Sequence, residues 1–114
     1  MANAFLSETD TAIGTSAASV LTCGASTEIT VIGMSIANIV TSQITVDVQL
    51  DASGRTSGAE DSVYLIKAAP VPVGGSLVVI GGDQKVVMEP GDVIKVTSDT
   101  ASSADVVISH LDIT

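Results

Sequence analysis

The chain has 114 residues, a length that fits one domain with a core of its own, spanning residues 1–114. Hydrophobic residues make up 46 % and aromatics only 2 %, which excludes a disordered chain and leaves Val, Ile, Leu and Ala to build the core. A formal net charge of −9 sets thirteen acids against Arg55, Lys67, Lys85 and Lys95 and excludes direct DNA or RNA binding, because such a surface repels phosphate. The acids are spread along the chain, so they predict a solvated surface that discourages edge-to-edge association or steers a basic partner.

The first residues, MANAFLSETDTAIG, lack a strand pattern, and residues 1–18 are expected to form an extended arm. They carry no basic region and no long apolar run, so neither a signal peptide nor a membrane span is expected. SVLTC, Ser19 to Cys23, is a weak strand candidate. EITVIGMSIANI alternates at Ile29 and Val31 and then shifts phase through Ile32, Met34 and Ile36, which predicts a β-bulge or bend beside Gly33. QITVDVQL is the clearest half-buried strand, with Ile44, Val46, Val48 and Leu50 on one face and Gln43, Thr45, Asp47 and Gln49 on the other.

DASGRTSGAED, Asp51 to Asp61, reads as a flexible surface loop. SVYLIKAAP, SLVVI, KVVME, DVIKV and ADVVISHLDI follow as short strands bounded by Gly, Pro, Asp or Ser. Between them PVPVGGS reads as a rigid extended piece with a Gly-Gly turn, and IGGDQK as a hairpin turn. Continuous apolar runs such as Leu77 to Ile80 predict cover on both faces, from the second sheet and from another subunit. The fold class is therefore all-β, an antiparallel, jelly-roll-like β-sandwich of about eight strands.

Candidates for chemistry are few. Cys23 stands alone and predicts a small buried hydrophobe with no internal disulfide. His110 is the single histidine, expected at a surface or interface, and it cannot form a dyad with Ser109 because adjacent strand residues face opposite ways. One Cys and one His cannot supply a zinc site. Asp51, Ser53, Glu60 and Asp61 offer oxygen ligands, but Arg55 interrupts them and their spacing is not that of an EF-hand loop. In EPGD, Glu89 to Asp92, two carboxylates flank a Pro-Gly pair. Pro sets the second position and Gly the third of a type II turn, so the turn predicts a solvated corner where the chain crosses between sheets, with no metal. Sugar-binding platforms need aromatics, and only Tyr64 is at hand after Phe5. No catalytic, cofactor or metal residue is assigned, and the chain is not expected to be an enzyme.

From Tyr64 onward a set of linked motifs stands out: LIKAAPVPVGGSL, a Gly-Gly turn, KVVMEPGDVIKVTSDTA and a terminal DVVISHLDI strand. This half of the chain resembles a family of small virion proteins of tailed bacteriophages, found among phages of cyanobacteria and other marine bacteria. The resemblance implies an all-β accessory protein of the virion, made in the host cytoplasm. Its implied role is capsid decoration, a cement protein that stabilises the head shell at capsomer junctions, with the major capsid protein as partner and a trimer as the favoured oligomer. A neck, collar or tail component is the alternative, and a host-surface glycan-binding module using the Asp51 to Asp61 loop is a second one. No nucleic-acid or membrane partner is implied.

Overall fold

In a computed structural model that describes residues 3–55 and 62–114, the chain folds into two antiparallel sheets with no helix among those residues. Nine strands form among the described residues: β1 (Asn3–Ile13), β2 (Ala18–Thr22), β3 (Glu28–Asn38), β4 (Ile44–Asp51), β5 (Val63–Val71), β6 (Ser76–Ile80), β7 (Val86–Met88), β8 (Val93–Ser98) and β9 (Ala104–Ile113). One sheet has the order β1-β9-β3-β6, with β7 also pairing β3; the other has the order β2-β8-β4-β5. Only the connections β4 to β5 and β6 to β7 stay within a sheet. All others cross, as the jelly-roll-like expectation requires.

Alternation explains the core. In β4, Ile44, Val46 and Val48 are fully buried, and they face Val31, Ile36 and Ile108 of the opposite sheet across a layer completed by Ile94 and Val96. β-Branched residues dominate because they suit the pleated backbone and lose little rotamer freedom on burial. The predicted phase shift in β3 is real. Its register against β9 slips between Val31 and Gly33, so Ile32 turns outward while Val31 and Met34 both stay buried.

Two expectations are corrected. Residues 3–13 form no free arm: β1 is an eleven-residue strand whose register with β9 runs unbroken from Asn3↔Ile113 to Asp10↔Val106. The strand lacks a pattern because nearly all of it is exposed on both faces, so no alternation was selected. Gly81 to Lys85 is not a hairpin turn. β6 and β7 both pair with β3, against Met34–Ala37 and Ile29–Val31, and the loop merely interrupts one edge.

Candidate interaction surfaces

The residues singled out for chemistry are placed by the fold one at a time. Glu89 to Asp92 does form the crossing turn between β7 and β8: Asp92 N–H donates to the Glu89 carbonyl at 3.0 Å, and Gly91 has φ of +96°. The corner is not solvated, however. Asp92 is fully buried, and Arg55 grips it bidentately, Nε to Oδ1 at 2.8 Å and Nη2 to Oδ2 at 3.0 Å, while Nη1 reaches Glu89 Oε2 at 3.1 Å. The Glu89 N–H also donates to Asp92 Oδ2 at 3.1 Å. A buried carboxylate is tolerable only with such charge-assisted partners. The turn is clamped from both sides: Cys23 N–H donates to the Asp92 carbonyl, Gly91 N–H donates to the Cys23 carbonyl, and a Cβ on Gly91 would fall 2.0 Å from the Gly54 carbonyl oxygen.

Asp51 is likewise a structural acceptor. It takes hydrogen bonds from Ser53 N–H at 3.0 Å, Ser53 Oγ at 2.6 Å and Ser62 Oγ at 3.0 Å, and pairs with Lys95 Nζ at 2.7 Å. The ammonium, and then the serine donors, hold its carboxyl well below the ordinary range. Glu60 and Asp61 lie outside the described residues. Among the described residues, no cluster of three or more His, Cys, Asp or Glu is placed to hold a metal.

Cys23 is buried and free. Burial, reinforced by the charges of Asp92 and Asp112, pushes its thiol up to about 11. His110 is buried rather than at a surface. Its Nδ1 is bonded to Asp112, two residues on and therefore on the same face, while Nε2 has no partner among the described residues. The alternation of His110 and Asp112 was the available signal for that pair.

What remains exposed is a surface. Register and burial place three rows across the outer face of the first sheet: Phe5, Leu111, Thr30 and Val87; Ser7, Ser109 and Gly33; and Thr9, Val107, Ser35 and Val78. None of these side chains is charged; Glu28 and Asp105 stand at opposite ends of the face. Val78 is 68 % exposed, Val87 61 % and Phe5 77 %. Leu77 and Ile80 were expected to be covered with their neighbours on both sides, yet within one chain Val78 has no cover. A shallow hollow lies at the β1 end of this face, and Thr9, Asp10, Ser35, Asp105 and Val107 are among the residues that line it.

The four sheet edges differ in their protection. β5 has Pro70, a kink at Ala68 (φ of +53°) whose N–H is taken by Asp47 Oδ1 at 2.7 Å, and Lys67 bonded to Asp47 and lying 4.6 Å from the Tyr64 ring centroid. The β6–β7 edge is interrupted by the Gly81–Lys85 loop. β2 is five residues long with a register shift between Ser19 and Leu21. β1 has none of these devices from Asn3 to Asp10: no Pro, no Lys, no bulge.

No protein-family model matches the chain, and no curated protein matches it. Among solved structures, a chain from the work described as "Bacillus endospore appendages form a novel family of disulfide-linked pili" superposes with a TM-score of 0.55 at 16 % identity, covering 99 % of this chain and 87 % of that one. The likeness is one of fold: a β-sandwich of the same kind occurs in an appendage protein.

Proposed function

We propose that this chain is a structural protein that acts by docking into a larger assembly, and that the assembly is a phage virion, with the chain as a capsid decoration protein at capsomer junctions. The observation that carries the docking role is the outer sheet face, whose three central rows carry no charge on a chain of net charge −9. On so acidic a protein, a face whose middle is uncharged, with Val78, Val87 and Phe5 exposed and acids only at its ends, is where a neighbour can settle with little repulsion. The polar groups singled out for chemistry support the same reading, since buried Asp92 and Cys23 and half-buried Asp51 all serve the fold. The virion setting rests on the sequence resemblance of the Tyr64-onward motifs. Self-association as a trimer through the outer face fits this reading, because copies can meet there without opposing charges.

Cryo-electron microscopy of the particle is the test: density for this chain on the head shell supports decoration, and density elsewhere in the particle removes it in favour of a neck or tail position. Light scattering addresses the oligomer. A trimer that dissociates on Val78→Lys supports the outer-face contact, and a trimer indifferent to it refutes that contact. The pilus protein with the same fold favours a structural role in general. Disulfide linkage does not carry over through Cys23, which is 1 % exposed and cannot reach a neighbour's sulfur.

A further inference from the structure

We propose that the free edge of β1 is a strand-addition site, and that its occupant is an extended segment of a partner protein with Lys or Arg at alternate positions. This rests on the reading of the chain as a docking protein and names the contact it would make. In an antiparallel pair, alternate residues turn their N–H and C=O away from the neighbouring strand. β1 pairs with β9 alone in the sheet order, so from Asn3 to Asp10 those groups face outward with no strand beside them among the described residues. The other three edges are shortened, kinked or interrupted, which leaves β1 as the long, regular edge able to receive a strand.

Charge selects the partner. Glu8 and Asp10 are two residues apart, so both side chains lie on the face shared with Leu6 and Ala4. β1 and β9 together carry Glu8, Asp10, Asp105 and Asp112 and no Lys or Arg. None of the ion pairs among the described residues involves Glu8 or Asp10. An incoming strand with basic residues two apart sets both cations opposite these carboxylates, and its intervening residues then fall on the side of Phe5, Ser7 and Thr9, where apolar or hydroxyl side chains fit. A second copy of this chain is a poor occupant: its own β1 would bring Glu8 and Asp10 against the same acids.

The test uses the full chain and two eight-residue peptides of identical composition, one alternating lysine with valine and threonine, the other with its lysines in one block. Fluorescence anisotropy measures binding and NMR amide exchange locates it. The alternating peptide is expected to bind more tightly than the block peptide, to slow exchange in β1 and to weaken as salt rises. The double substitution Glu8→Gln with Asp10→Asn is expected to weaken it about tenfold, from two partly exposed pairs, with the melting temperature unchanged. Equal binding of both peptides means diffuse attraction and overturns the proposal. So does absence of binding at low salt, protection at β5 in place of β1, or β1 protection that appears with protein concentration alone, which assigns the edge to a second copy. The outcome is separable from the virion reading: peptide capture by a protein absent from the head sinks decoration alone, and a head protein whose β1 accepts no strand sinks this proposal alone.

Discussion

The Glu89–Asp92 corner and the β1 edge are both acidic, and they are built in opposite ways. At the corner every charge has a partner: Asp92 is fully buried, Arg55 spans it and Glu89, and the turn's backbone is tied to Cys23 on one side and pressed against Gly54 on the other. At the edge, Glu8 has no cation among the described residues, Phe5 and Leu6 stand in solvent on opposite faces, and the strand is held by its ladder to β9. A carboxylate of the first kind maintains the fold. One of the second kind contributes little to stability and remains available to a partner.

Substitutions sharpen the contrast. Asp92→Ala strips a buried guanidinium contact and leaves the Glu89 N–H short of an acceptor, and urea denaturation is expected to show a loss of about 3–5 kcal/mol, the range for breaking a buried pair. A loss below 1 kcal/mol there would erase the distinction drawn between the two regions. Gly91→Ala comes next: a positive φ and a carbonyl oxygen in the path of its Cβ predict about 2 kcal/mol by the same measurement.

Acid titration probes an intermediate case. The folded-state pKa of Asp51 is depressed below its ordinary 3.8, chiefly by Lys95, so its contribution is present above about pH 4 and is lost as pH falls below that. Asp51→Asn is therefore expected to lower stability at pH 7 and to flatten the acid limb of a stability-versus-pH curve; an unchanged limb assigns acid sensitivity to other carboxylates. Smallest of all is Phe5→Ser, expected to move the melting curve of the isolated chain by no more than about 0.5 kcal/mol because the ring is already exposed. A large destabilisation would show that β1 is part of the core's support and not a reserved edge.

The same contrast explains what was legible in the amino-acid order. β4 could be read outright, since one buried face imposes strict alternation on Ile44, Val46 and Val48. The backbone of the Pro90–Gly91 turn was also legible, because φ preferences are local. The burial of Asp92 was not: its partner Arg55 lies in a loop distant in sequence, and an acid beside a turn looks the same whether solvated or clamped. β1 escaped detection for a different reason. Its existence depends on hydrogen bonds to β9, which leave no mark on side-chain pattern when both faces are wet. β6 and β7 are visible as strands, but their shared neighbour β3 leaves no local mark, so a Gly-rich loop between two collinear strands has the same residues as a hairpin turn.

The pairing of Asn3 with Ile113 has a consequence for timing. β1 acquires its ladder only after β9 has emerged and the intervening strands have crossed repeatedly between sheets, a topology that folds slowly. During synthesis on a ribosome, β1 therefore waits without this ladder until β9 is made. Were a partner strand to add there, it would find its edge only on the finished sandwich, so its binding would report that folding is complete.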